Sequence, residues 1–290
     1  MIYFILPIHK NLTDCQTFIN STSNLLNNHR INFIIINSYK KNRINPKKSF
    51  ELNSKHEVRV LNGKSNWYWF KSIHSGFKLI QNEVLEKDIV ILSNVDVEVP
   101  KNYIENVMQA QKKYPGCIIG SQLKNEDSFR DMDLGPKVTQ KFIIESINAS
   151  EIKYFEDGTT YEVEFVSGRG MIFQGAHLRE LLNIKFYIAQ HYFSDYFLSL
   201  EMANRGYKNI MSKKIYLLSK ELFGNLNTNY NPLNLIFSKK NPQYIPASFT
   251  FYYAYSKIHK NISLINFTLS YATHLVKAYK KLQKIHSDSS

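Results

Sequence analysis

Short apolar runs alternate with segments of helical period along the first 120 residues of the chain. Ile2 to Leu6 is apolar and is halted by Pro7, the pattern of a short buried strand. Between Thr13 and Asn28, Phe18, Leu25 and Leu26 recur at helical intervals, with Thr13 or Asp14 as an N-cap. Ile31 to Ile36 is rich in β-branched residues and ends at Asn37-Ser38, a second strand; Val58 to Leu61 is a third. The stretch from Tyr39 to Lys55 is basic and polar and reads as a mobile loop. A helix from Phe70 to Asn82, a strand from Asp88 to Ser93, a helix from Tyr103 to Lys113 and a strand from Cys117 to Gly120 complete the alternation.

Strands that alternate with helices and lack period-two polarity predict an α/β fold with a mostly parallel, Rossmann-like sheet covered on both faces. Ligands of such folds bind beyond the carboxyl ends of the strands. Pro7, His9, Asn37 and Asp96 all fall there. Residues 123–162 are less regular and read as an acceptor-binding loop. Val163 to Ser167 and Met171 to Gln174 read as strands flanking Gly168-Arg169-Gly170, and Phe193 to Arg205 as a helix closed by Gly206. From Asn225 the chain turns Asn-rich, with Pro232, Pro242 and Pro246, and reads as a linker. Leu264, Phe267, Tyr271, Leu275, Ala278 and Leu282 then recur three or four apart among Lys277, Lys280, Lys281 and Lys284, a basic amphipathic helix. The expected division is a catalytic domain over 1–220 and a helical C-terminal extension over 221–290.

Charge narrows the partners. With 37 Lys and Arg against 24 Asp and Glu, the formal net charge is +13. That favours an anionic partner: nucleic acid, an anionic membrane or a phosphorylated substrate. No recognised nucleic-acid motif is present, so nucleic acid is not an expected partner. Cys15 and Cys117 form no CxxC pair, which argues against a disulfide framework or a thiolate metal site. The N-terminus lacks the basic and long apolar regions of a signal peptide, and no run is long enough to span a bilayer. The expected location is cytoplasmic, peripheral on the inner membrane face.

Four constellations carry candidate chemistry. Asp96 follows a hydrophobic strand within Asn94-Val95-Asp96-Val97-Glu98. It reads either as a turn or cap residue, or with Glu98 as a ligand set for Mn²⁺ or Mg²⁺, hard cations that favour oxygen. Asn66-Trp67-Tyr68-Trp69-Phe70, leading to His74, is either the wall of a sugar-nucleotide pocket or a helix start packed on the sheet. Gly168-Arg169-Gly170 allows a tight turn, with Arg169 either a contact to phosphate or an acceptor hydroxyl or an ordinary glycine-flanked surface arginine. His191-Tyr192-Phe193-Ser194-Asp195 places His191 and Asp195 four apart, on one helical face if the helix starts early. Asp195, flanked by aromatics, is then a general base or a residue complementing the helix dipole.

Taken in order, Pro7, Asn37-Ser38, Asn66 to Trp69, Asn94 to Glu98, Gly168-Arg169-Gly170, His191 to Asp195 and Arg205-Gly206-Tyr207 resemble glycosyltransferase family 2, the inverting enzymes of GT-A fold, and in particular its rhamnosyltransferase-like bacterial branch. The resemblance covers about residues 1–220. It implies a nucleotide-diphospho-sugar donor, a metal at Asp96 and a general base at Asp195. The basic C-terminal helix itself reads either as a contact to an anionic membrane, with a lipid-linked glycan acceptor, or as a face packed on the catalytic domain or another subunit. It also implies donor contacts from Pro7, His9, Asn37, Asn66, Trp67, Trp69, His74, Asn94 and Asp96. Acceptor or phosphate contacts would come from Gly168, Arg169, Gly170, His191 and Tyr192. Asn37, His74, Ser194 and Glu201 depart from the family's pattern. A sugar nucleotidyltransferase and a non-catalytic polyanion binder are the alternative functions.

Overall fold

The computed structural model describes residues 1–9, 12–25, 29–39, 43–50, 55–139, 144–185, 191, 193–220, 245–259, 265, 268, 269 and 272. The first half runs β1 (Ile2–Ile8), α1 (Leu12–Leu25), β2 (Ile31–Asn37), α2 (Pro46–Ser49), β3 (Glu57–Asn62), α3 (Trp69–Ile80), β4 (Ile89–Leu92), α4 (Tyr103–Lys113) and β5 (Ile118–Asn125). The second half runs β6 (Asp131–Asp133), β7 (Pro136–Val138), β8 (Ile144–Ser146), β9 (Thr160–Val163), β10 (Met171–Gln174), α5 (Leu178–Asn183), α6 (Ser194–Asn204), β11 (Asn209–Ser219) and α7 (Ile245–Ile258).

Nine strands form one sheet in the order β3-β2-β1-β4-β10-β5-β11-β9, with β6 beside β5; β7 and β8 make a separate hairpin. Strands β3, β2, β1 and β4 are parallel, and β11 is parallel to β5. Strand β10 is antiparallel to both β4 and β5, and β9 to β11. The apolar runs of β1, β2 and β4 follow from covering both faces. Phe4, Leu6, Phe33, Ile35 and Ile91 pack on one side with Phe18 of α1 and Ile104 and Val107 of α4. Their alternates Tyr3, Ile5, Ile34, Ile36, Val90 and Leu92 pack on the other with Ile73 and Phe77 of α3, Phe197 of α6 and Phe251 of α7.

The structure corrects several expectations. Pro7 does not end β1, which pairs with β2 through Ile8. Ile8 accepts a bond from Ser38 on the β2 side, whereas Ile5 accepts one from Ser93 on the β4 side. Alternate residues address alternate neighbours, so the missing N–H of Pro7 faces the side where β4 has already ended at Leu92. The polar stretch between β2 and β3 contains α2 and buries Ile44 and Phe50. Strand β9 ends at Val163, earlier than expected, and 164–167 leave the sheet. Strand β11, unread in the sequence because lysines interrupt it, is the longest in the sheet. Pairing of β11 with β5 slips between Ser212 and Tyr216, so Lys213 and Lys214 bulge outward while Ile215 and Leu217 stay buried.

Where prolines suggested a linker, Ile245–Ile258 is helical, with Pro246 in its first turn, where a missing N–H costs no helical bond. Helix α7 packs on α6, and its Phe251 and Tyr255 are fully or nearly fully buried. Nearly all of the amphipathic segment expected after residue 260 lies outside the described residues. No described helix is long and apolar enough to cross a membrane.

Candidate functional site

The chain leaves β1 for β2 on one side and reaches β4 on the other, so a crevice opens between the carboxyl ends of β1 and β4. Beyond β4 the backbone bends at Val95, Asp96 and Val97 before Glu98 forms an isolated bridge. Val97 and Val99 turn inward and are buried, which puts Asp96 and Glu98 outward. The Glu98 N–H donates to the Leu218 carbonyl at 2.8 Å and the Leu218 N–H donates back at 3.0 Å. The end of β11 thus fixes the segment that presents Asp96, a partner that the sequence did not announce.

Gly168-Arg169-Gly170 crosses the crevice. Gly170 adopts φ +77°, and a Cβ there would lie 2.4 Å from the Ser121 hydroxyl oxygen, so only glycine fits. Its N–H donates to Leu92, and its carbonyl accepts from the Ser121 N–H and hydroxyl at 3.1 and 2.8 Å. Ser121 is held in turn by the buried Tyr103 hydroxyl at 2.7 Å. Gly168 is wedged between Trp69 and Asp195; a Cβ would come within 2.5 Å of the indole and 2.9 Å of the Asp195 Cβ. The Gly168 N–H donates to Asp195 Oδ2 at 2.9 Å. One residue on, the Arg169 guanidinium donates to Asp96 Oδ2 at 3.0 Å. Asp96 and Asp195, 99 positions apart in the chain, therefore meet adjacent residues of one turn.

The two carboxylates differ in setting. Asp96 is exposed, with 44% of its side chain accessible, while its partner Arg169 has 16%. Burial raises the Asp195 carboxyl above the ordinary range, opposed by the Gly168 and Tyr196 backbone N–H groups and by the Arg169 charge. A third carboxylate that the sequence reading missed, Asp133 at the end of β6, lies in the field of Arg169. Burial raises it as well, against bonds from the Gly135 N–H and the Ser146 hydroxyl. Asp195 and Asp133 both add to the upward shift of the Tyr196 phenol, whose main cause is burial. One guanidinium thus faces carboxylates from three separate segments. The legible signal for Asp133 was only Asp-Leu-Gly, in which Asp133 Oδ1 accepts from the Gly135 N–H at 2.9 Å.

Helix α7 supports this wall. Phe165, buried just before the turn, packs on Tyr196 and Phe251 with ring centroids 5.1 and 5.2 Å apart. The Tyr255 hydroxyl bonds the Glu164 carboxylate at 2.8 Å. Phe193 precedes α6 with φ +63°, a left-handed conformation that stops the helix extending backward. The helix starts at Ser194, so His191 lies outside it and the expected one-face pairing with Asp195 does not form. His191 instead stands 6.0 Å from the Tyr68 ring. Tyr192 lies outside the described residues.

On the opposite side of the crevice, the His9 imidazole meets the Ser38 hydroxyl at 3.1 Å and the Tyr39 ring edge-on. Pro7 and Asn94 are half-buried, and Asn66 is exposed. Asn37 is buried with its amide engaged. It donates to Asn62 at 2.9 Å and accepts from the Tyr39 N–H at 3.0 Å, so it shapes the β2 loop. Trp67 is half-buried over Gly63, and its buried indole N–H has no hydrogen-bond partner among the described residues. His74 is turned toward α5, where its ring meets the Leu182 carbonyl at 3.1 Å and stacks on Phe70. That is a packing contact between helices.

Among the described residues no group of three or more His, Cys, Asp or Glu side chains could by itself hold a metal ion. What Asp96 offers is one accessible carboxylate at the mouth of the crevice. That suits a magnesium-like cation whose other ligands are phosphate oxygens and water.

No protein-family model matches the sequence, and no curated protein matches it. Among solved structures, the chain is similar to the crystal structure of GalNAc-T7 with UDP, GalNAc and Mn²⁺, with a TM-score of 0.61 at 10% identity. The match covers 88% of this chain and 48% of the other, so the chain spans about half the length of the structure it matches. The likeness is one of fold: a GT-A type α/β architecture with a central, mostly parallel sheet.

Proposed function

We propose that the protein is a metal-assisted glycosyltransferase that moves a sugar, with inversion, from a nucleotide-diphospho-sugar to an acceptor hydroxyl. The observation that carries this reading is the convergence of an exposed carboxylate, Asp96, and a half-buried one, Asp195, on the Gly168-Arg169 turn. The GT-A type fold, shared with a structure that contains UDP and Mn²⁺, supports it. So does the motif resemblance to glycosyltransferase family 2 and its rhamnosyltransferase-like branch.

In this reading Asp96 is the protein ligand of the cation, with Glu98 reaching it through water. The cation, when bound, neutralises the diphosphate as it departs. Asp195 takes the proton from the acceptor hydroxyl. Burial suits it to the task, because a carboxyl raised toward the working pH is a stronger base than an ordinary one. The Gly168 N–H fixes the orientation of that carboxylate, and Trp69 screens its rear from water. Asp133 and Arg169 line the acceptor side and bind hydroxyls or phosphate. His9, Asn66 and Trp67 line the donor side.

The basic surplus and the exposed apolar side chains Phe249, Tyr253, Ile265 and Leu269 favour a lipid-linked glycan acceptor at an anionic membrane face. Sedimentation with anionic liposomes should recover the full chain; if deletion after Asn261 leaves sedimentation unchanged, that segment is not the anchor. The transferase reading is tested with a panel of nucleotide-sugars and Mn²⁺. Donor hydrolysis or thermal stabilisation by at least one donor is expected, and its loss in Asp96→Asn. No response from any donor overturns the reading.

A further inference from the structure

The Asp96 oxygen nearest the turn already holds a cation of the protein's own, the Arg169 guanidinium, 3.0 Å away. The pair is open to solvent, but its arginine is held in place. Arg169 is largely buried, its backbone is anchored on either side through Gly168 to Asp195 and through Gly170 to Leu92, and two further carboxylates act on it electrostatically. A bare divalent ion approaching Asp96 would meet a neutralised carboxylate. It would also stand beside a positive charge that cannot retreat far, because its backbone is clamped. A nucleoside diphosphate changes both terms, since its oxygens coordinate the ion and also offer Arg169 a planar, bidentate replacement for Asp96.

We propose that Arg169 is the resting occupant of the cation position on Asp96, and that a divalent ion enters there only as the guanidinium passes to the diphosphate of an arriving nucleotide. The consequence is coupled entry. The metal alone binds poorly, the nucleotide alone binds poorly, and each raises the affinity for the other by the same factor. The cation site thereby stays closed until the donor that needs it is present. This rests on the transferase reading for the identity of the nucleotide, but not for the behaviour of the ion pair.

The experiment titrates Mn²⁺ alone against the full chain by electron paramagnetic resonance. Separately, it titrates uridine, guanosine, thymidine and adenosine diphosphates with Mn²⁺ present. Arg169→Gln should tighten binding of Mn²⁺ alone by about tenfold, within the range of coupled sites, and weaken nucleoside diphosphate binding by a similar factor. The two changes have opposite sign, which simple disruption of the site would not give. Arg169→Lys keeps the charge and should leave Mn²⁺ binding weak, and the double variant Arg169→Gln with Asp96→Asn should lose the gain. Unchanged or weaker Mn²⁺ binding in Arg169→Gln overturns the proposal. Tighter Mn²⁺ binding in that variant, with no nucleoside diphosphate bound by either protein, upholds the ion pair as a gate and sinks the transferase reading instead.

Discussion

The two walls of the crevice are built on different plans. One wall, at the ends of β1, β2 and β4, consists of loops that continue parallel strands; the proposed function makes it the donor-side wall and the other the acceptor-side wall. Its side chains bond across adjacent strand ends: Asn37 accepts from Tyr39 and donates to Asn62 of β3, and His9 meets Ser38 across one strand pair. The acceptor-side wall gathers the turn at Gly168, the end of β6, the start of α6 and the flank of α7. It brings charge together at the edge of the core, with Arg169 bonded to the exposed Asp96 and acting electrostatically on the half-buried Asp133 and Asp195. A parallel sheet delivers strand ends to one edge by its topology alone. A wall of partly desolvated charge has to be assembled from many directions, since each ion needs partners that its own segment cannot supply.

That contrast predicts that damage to the acceptor-side support should cost stability and transfer while sparing nucleotide binding. The largest effect is expected from Phe251→Ala, which empties a fully buried ring site against Phe165 and Phe193. A loss of about 3–5 kcal/mol is expected in chemical denaturation. If the variant is as stable as the parent, α7 is not part of the core. Next is Asp195→Asn, for which transfer should fall by roughly a hundredfold while donor affinity is kept. Retained turnover would remove Asp195 from the role of base.

A smaller effect is expected from Gly168→Ala, whose methyl meets the Trp69 ring and the Asp195 Cβ. The expected destabilisation is about 1–3 kcal/mol, with kcat falling more than donor affinity; a neutral result in both would mean that the turn has room to shift. The smallest effects concern pH. A carboxyl raised on folding contributes stability that is complete below its unfolded value and is lost as pH rises through the folded one. Asp195→Asn cannot ionise, so it should melt at a higher temperature than the parent at neutral pH, the gap closing toward acid. Arg169 lowers the Asp195 carboxyl, so Arg169→Gln should move the acid limb of the kcat/KM profile to higher pH. A limb that stays in place would separate the two residues electrostatically.

Much of the donor-side wall was legible because its signals are local. The unbroken apolar runs of β1, β2 and β4 and the change to polar residues at His9, Asn37 and Asp96 are written in consecutive positions. The helix Tyr103–Lys113 was readable for the same reason. Side-chain direction was not legible: nothing in the sequence says that His74 turns to α5 or that the Asn37 amide is engaged by Tyr39 and Asn62. Strand β11 was hidden because its bulge breaks the period-two pattern at Lys213 and Lys214. Helix α7 was hidden because Pro246, a breaker inside a helix, is harmless in the first turn.

The sequence by itself determined the alternating α/β plan, the edge at which a site must open and the residue types available to it, since strand and helix patterns depend on neighbours within a few positions. Only the tertiary structure decided that Arg169 joins Asp96, that Asp133 belongs with them and that Glu98 is tied to Leu218. Those contacts depend on which strands lie side by side. The order β4-β10-β5-β11 arises from packing the whole sheet, and no local stretch of the chain encodes it.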